Sequence, residues 1–384
     1  MSVKPGDTVG GYELERKLGV GGMATVWLAH ALGPKSQHKR VVLKLMHDHY
    51  AENKDVRELF EEEARLAQRL DHPNVVKVMA TGRDQGRCFL AMEYVDGVDL
   101  RSAMQAHEGP LWPALACALV ADACKGLGYA HGRKVVHRDM SPDNVMVDVE
   151  GKVRILDFGI ARAEETELTT KTGLRKGKIR YMAPEYLRDH VANAQTDVYS
   201  MGASLHELVT GHEPFGKATP AVMFHAIEHK GLPRADSIRP SLPRTLVETI
   251  SRATAREPRD RFGSASEFEA ALRMFLKEYS PPLPKEVGHE VAVWKGKLAG
   301  GPLRPGRRDA GSMGQLETTE FVKVGVPTDP NVPGSGGSDW DVDTDPQKEQ
   351  PLPSVVLDPE LEKLAVRHHG PRKKKPAGKP RAKK

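Results

Sequence analysis

The chain has 384 residues, 39% of them hydrophobic and 28% charged, enough for a sizeable core and for two average domains or one large domain with a tail. Its net charge of +5 is modest, with much of the excess in the last fifteen residues, and does not by itself imply nucleic acid. Cys88, Cys117 and Cys124 are an odd number without metal-ligand spacing, and Cys117 and Cys124, seven apart in an apolar run, suit core packing in a reducing compartment. The first residues hold no apolar stretch resembling a signal sequence, and no charge-free apolar run reaches about 18–20 residues. The expectation is a cytoplasmic protein with no membrane span.

Taken in chain order, residues 1–11 read as an extension, followed by β-branched runs at 12–18, 25–31, 40–46, 75–80 and 88–94. Between the third and fourth lies one helical pattern over 55–70, with Val56, Leu59, Phe60, Leu66 and Leu70 on its apolar face. His72-Pro73-Asn74 stops it, because the residue before proline is pushed out of the α region. Five strands and a helix make a small α+β lobe over 12–95. From 96 to 279 the balance shifts to helix, with candidates at 112–133, 196–210, 220–229, 246–255 and 265–278 and short strands at 144–149 and 153–156. From 280 to 384 the chain is rich in Pro, Gly and charge, and this composition buries too little apolar area to offset its ordering entropy; a disordered tail is expected.

Several short motifs carry chemistry. Gly19-Val20-Gly21-Gly22-Met23-Ala24 lies between two predicted strands, where glycines let a backbone hairpin approach a polyphosphate; an ordinary glycine-rich turn reads the same way. No helix pattern follows it, as a dinucleotide fold would need, and no GxxxxGK[ST] run is present. Lys44 ends an apolar strand and Glu63 sits on the helix that follows; a buried lysine needs such a carboxylate. Then come His137-Arg138-Asp139-Met140-Ser141-Pro142-Asp143-Asn144, Asp157-Phe158-Gly159 and Ala183-Pro184-Glu185.

In this order and at these spacings the motifs resemble those of a bacterial protein kinase of the eukaryotic type, over roughly residues 12–278. The resemblance implies a bilobal α+β kinase fold, ATP and Mg2+ as cofactors, protein substrates and serine/threonine specificity. It implies that Leu18, Gly19, Val20, Gly21, Gly22, Met23, Ala24 and Val26 cover the nucleotide, with Ala24 in place of the usual third glycine. Val42 would face adenine, Met92 would be the gatekeeper, Glu93 and Val95 would belong to the hinge, and Asp99 would contact the ribose. Lys44 would hold the α- and β-phosphates and Glu63 would hold Lys44. Asp139 would accept the substrate hydroxyl proton, while Asn144 and Asp157 would ligate the metal. Asp197 resembles the buried aspartate that anchors the catalytic loop, and Glu185 is expected to pair with Arg261.

Two positions depart from the family pattern. The catalytic loop usually reads HRDLKPEN, and its lysine is Ser141 here; the segment GTxxYxAPE has Lys178 in place of its threonine. Two readings stand: the positions have exchanged roles, Lys178 supplying the charge and Ser141 the hydroxyl, or Lys178 is solvated and the enzyme is slow. A silent pseudokinase that serves as a scaffold is the alternative function. Arg138 suggests control by phosphorylation, with Thr166, Thr169, Thr170 and Thr172 as candidates and Thr170 and Thr172 resembling a TxTG stretch of bacterial relatives. Asp99 and Asp143 match places where some relatives hold a substrate arginine. In the tail, Glu317-Thr318-Thr319-Glu320-Phe321 resembles motifs that recruit phosphothreonine-binding (FHA-type) partners. The basic run from Arg372 to Lys384 reads either as solvated or as a salt-sensitive contact to nucleic acid. Nothing in the sequence speaks to the oligomeric state.

Overall fold

The computed structural model describes residues 3–21, 23–33, 39–50, 53–158, 178–216 and 218–299. The N-terminal lobe is an antiparallel sheet of β1 (Thr8–Val9), β2 (Tyr12–Val20), β3 (Ala24–Ala31), β4 (Arg40–Met46), β5 (Val78–Asp84) and β6 (Arg87–Glu93), in the order β1-β2-β3-β4-β6-β5. Period-two alternation sets its faces. Val41, Leu43 and Leu45 of β4 turn toward a core with Leu14, Trp27 and Phe89. Val42 and Lys44 turn to the opposite face, which α1 (Lys54–Ala67) covers with Phe60 and Ala64. Asn53 caps α1 by accepting from the backbone N–H groups of Asp55 (3.0 Å) and Val56 (3.2 Å).

The sheet has six strands where five are expected. The extra one, β1, is two residues long and folds back through Gly10 and Gly11, at φ 59° and 83°, a region that favours glycine. A Cβ on Gly10 would also fall 2.3 Å from the Phe89 ring. The run expected at 75–80 begins as a strand only at Val78. Val75 and Val76 instead pair with Ile155 of the larger lobe, where burial to 3% and 6% accounts for their apolar character.

The larger lobe is built around α3 (Pro113–Gly132), largely apolar, and α5 (Ala194–Thr210), buried on nearly all sides although it carries Asp197, Ser200, Ser204, His206 and Glu207. Cys117 and Cys124 lie in the α3 core as free thiols whose pKa burial pushes up. Around these helices pack α6 (Pro220–His225), α8 (Arg244–Ala253) and α9 (Ala265–Glu278). The expected helix over 220–229 changes at Ala226 into a single π turn ending at Lys230. The short elements β7 (Gly97–Asp99), α2 (Leu100–His107), α4 (Pro184–Asp189) and α7 (Ala235–Ile238) span too few residues for periodicity to reveal. Strands β7, β8 (Val145–Asp148) and β9 (Val153–Ile155) form a small sheet under the cleft.

The tail expected from 280 needs correction. Helix α10 (Pro284–Leu298) packs Val287, Val291 and Trp294 into the larger lobe, with Trp294 1% exposed. Those three side chains, four and three residues apart, make one apolar stripe that bulk composition averages away. The threonines proposed for regulation, Gly22, and everything from residue 300 onward, including Thr318, Thr319 and the basic run, lie outside the described residues. Among the described residues no helix is long and apolar enough to cross a membrane.

Candidate active site

The cleft between the lobes gathers the motif residues. The glycine-rich hairpin is closed by the Gly21 N–H donating to the Ala24 carbonyl at 2.8 Å, and Gly19 pairs with Val26 across it. Neither Gly19 nor Gly21 has positive φ, and a Cβ on Gly19 would meet nothing within 4 Å. The fold itself therefore does not require glycine at Gly19. Leu18 and Val20 project outward, 40% and 59% exposed.

Beneath the hairpin, register puts Val26 opposite Lys44 and Val42 opposite Met92, so these side chains share the cleft face of the sheet. Met23 accepts from the His47 N–H, and Ala24 is buried in the cluster that holds Met92 and Val95. Met146 of β8 and Leu156 pack against the same cluster and supply the apolar floor of the cleft. Sequence reading missed both; alternation in the 144–149 run was the available signal.

Lys44 Nζ donates to Glu63 Oε1 at 2.8 Å and lies 3.5 Å from Asp157 Oδ1. The lysine side chain is 16% exposed and that of Glu63 11%, so the pair is shielded while the ammonium faces Asp157 and the cleft. Glu93 accepts from the Lys77 N–H and approaches Arg154, contacts that anchor the end of β6.

The catalytic loop is held from below. Asp197, fully buried, accepts from the backbone N–H of His137 (2.8 Å) and Arg138 (2.9 Å) and bonds His131 Nε2 (2.8 Å). This clamp keeps Arg138 at φ 67°, costly for a non-glycine residue. Arg138 Nε is buried with no partner among the described residues. Asp139 then accepts three hydrogen bonds from two groups: Asn144 Nδ2 donates to its carbonyl (2.6 Å) and its carboxylate (3.0 Å), and Lys178 Nζ donates to the carboxylate at 2.7 Å. Lys178 also lies 3.4 Å from Asn144 Oδ1. Ser141 is buried, and its hydroxyl has no partner among the described residues.

Glu185 and Arg261 form the expected pair, bidentate at 2.8 and 2.7 Å, with Arg261 also bonded to the carbonyls of Gln195, Ala255 and Arg256. Asp99, for which the resemblance implies a ribose contact, has a partner in the helix it precedes. It caps α2, accepting from the Ser102 N–H at 2.8 Å and its hydroxyl at 2.7 Å. Asp143 faces Arg101 at 3.8 Å, and Arg101 bonds the buried Glu207 together with Tyr181. Burial works against the charge on Arg101, but Glu207 and its neighbours hold its pKa above the usual value. Both carboxylates thought open to a substrate arginine thus have internal partners, and Arg101 escaped sequence reading because its partners are remote in the chain.

A two-lobed fold whose cleft joins a lysine–glutamate pair, a buried catalytic-loop aspartate and an Asn/Asp oxygen pair is that of a protein kinase domain. The family profile described as protein tyrosine and serine/threonine kinase matches residues 12–269, and the chain belongs to that family. It is 38% identical over 283 residues to the tyrosine-protein kinase MasK of Myxococcus xanthus, covering 70% of this chain and 44% of that protein. It is 33% identical to the serine/threonine-protein kinase PrkC of Bacillus subtilis (69% of this chain, 40% of PrkC). It is 34% identical to the serine/threonine-protein kinase PknB of Mycobacterium tuberculosis strain H37Rv (80% of this chain, 50% of PknB). The chain thus spans half or less of these relatives' length. The crystal structure of the M. tuberculosis PknI kinase domain superposes with a TM-score of 0.57 at 30% identity, covering 71% of this chain and 98% of that one.

Proposed function

We propose that this chain is an ATP- and Mg2+-dependent protein serine/threonine kinase that autophosphorylates its activation loop in bacterial signalling. The carrying observation is the convergence of Lys44–Glu63, Asp157 and the Asp139–Asn144–Lys178 cluster on one cleft. Asn144 and Asp157 offer hard oxygen donors, and their small number suits magnesium, which keeps several waters and shares phosphate oxygens. These two residues would hold the metal, which neutralises phosphate charge when bound.

The protein's own groups divide the remaining work. Lys44, steadied by Glu63, binds phosphate oxygens, and the hairpin amides close over them. Asp139, held by Asn144, orients the acceptor hydroxyl and accepts its proton. Lys178 places a positive charge where the migrating phosphoryl group passes and Ser141 contributes a hydroxyl beneath it, so catalysis here is mainly positioning and electrostatics. Arg138 would bond a phosphate on Thr170 or Thr172.

A second reading, a tyrosine acceptor, is favoured by the 38% identity to a relative named as a tyrosine-protein kinase. Incubating the chain with radiolabelled ATP and magnesium beside Asp139→Asn tests the proposal. Label on the wild type alone supports it, and phosphoamino-acid analysis with mass mapping then identifies the acceptor and tests Thr170, Thr172 and Thr318. Nucleotide binding without label on either protein would favour the scaffold.

A further inference from the structure

Helix α10 lies beyond the matched family profile, which ends at residue 269, yet it is seated on the segment leading out of the hinge. Lys295 Nζ donates to Asp96 Oδ1 at 2.5 Å, and it holds the Asp96 carboxyl below the usual carboxylate range. Asp96 follows Val95 directly, accepts from the Tyr94 hydroxyl at 3.2 Å, and its carbonyl accepts from the Val149 N–H at 3.1 Å. At the far end of α2, Lys297 Nζ donates to the Ala106 carbonyl at 2.9 Å, and Trp294 packs edge-on to His107 with ring centroids 6.1 Å apart.

The contact is close by construction. A Cβ on Gly288 would fall 2.2 Å from the Val149 carbonyl oxygen, and one on Gly151 would fall 2.3 Å from that of Pro284. Two glycines, one on each side, thus let helix backbone and turn backbone meet. The stretch from Asp96 to His107, which includes Asp99, is pinned by one rigid helix at both its ends.

We propose that α10 is a positioning element of the nucleotide cleft, fixing the hinge exit and α2 through Lys295 and Trp294. The proposal rests on the kinase reading. Coupling of this kind is reciprocal: nucleotide must strengthen the docking of α10 as much as α10 strengthens nucleotide binding. A helix that only stabilised the larger lobe would gain protection with nucleotide no more than the other helices of that lobe do.

Hydrogen exchange of the full chain, with and without a non-hydrolysable ATP analogue and magnesium, reads the first half of that statement. Amides of 285–298 are expected to exchange several-fold more slowly with nucleotide. Fluorescent-nucleotide titration reads the second half: Lys295→Glu is expected to weaken binding by about threefold to tenfold, as befits reversal of a part-exposed pair. The double variant Lys295→Glu with Asp96→Lys is expected to return to within about twofold of the wild type, which a purely structural helix would not produce. Unchanged exchange with bound nucleotide, or wild-type affinity in Lys295→Glu, overturns the proposal while leaving the kinase reading intact. A wild type that binds no nucleotide overturns both.

Discussion

Lys178 Nζ donates to Asp139 Oδ2 across 2.7 Å, from a position 39 residues further along the chain. The positive charge at Asp139 thus arrives from the segment before Ala183-Pro184-Glu185 rather than from the loop that carries Asp139. The loop position where the family pattern has lysine is the small, buried Ser141. Lys178 remains 25% exposed and the Asp139 side chain only 4%, so the carboxylate is largely covered by its own partners.

Lys178→Ala is expected to lower turnover at least tenfold in a peptide phosphorylation assay. A charge pair at about 4 Å in an effective dielectric of about 20 is worth about 4 kcal/mol. Loss of half that costs more than about tenfold in rate. Lys178→Thr combined with Ser141→Lys should recover more activity than either change alone. Turnover at the wild-type level in Lys178→Ala would rule out the exchange of roles.

Asp197→Ala removes the acceptor for two backbone N–H groups and the clamp on Arg138. Displacement of Asp139 by a fraction of an ångström should then reduce kcat by about tenfold or more. KM for ATP should change far less, because the residues proposed to hold the nucleotide lie mainly in the upper lobe and the segment after β6. Steady-state kinetics over ATP concentration separates the two; a rise in KM at constant kcat would contradict the clamp.

Arg261→Ala leaves Glu185, 7% exposed, without its bidentate partner. Breaking a buried pair from one side costs about 3–5 kcal/mol. Urea denaturation should show the midpoint falling accordingly. A shift below about 1 kcal/mol would mean that water reaches the site and that the pair matters little.

His206 sets a pH dependence of stability. Its Nε2–H donates to the Pro233 carbonyl at 2.9 Å, and burial lowers its pKa to about 4. The unfolded chain, with histidine near its ordinary value of about 6.5, takes up a proton first as pH falls. The stability contribution is complete above that value and lost progressively down to about pH 4, amounting to as much as about 3 kcal/mol. Denaturation midpoints measured across this window should fall less steeply in His206→Gln; identical slopes would show that other groups govern the acid limb.

Long elements with strong periodicity were legible in the sequence: β4 falls on its expected residues and α9 matches residue for residue. The short elements β1, β7 and α2 were not, because two to eight residues hold too little of a repeat to stand out. Helix α10 was hidden differently, its stripe of Val287, Val291 and Trp294 lying in a stretch whose average composition is polar.

The sequence by itself determined the chemistry on offer. The order of the glycine hairpin, Lys44, Glu63, Asp139, Asn144 and Asp157 identifies the side chains a phosphoryl-transfer site needs, since residue type and spacing are local properties. Only the tertiary structure decided which charges meet: Lys178 with Asp139, Arg101 with Glu207, Lys295 with Asp96. Each pair joins residues dozens to hundreds of positions apart. Their encounter depends on how helices and sheets pack, because Coulomb attraction and hydrogen bonding act over a few ångströms of space, not along the chain.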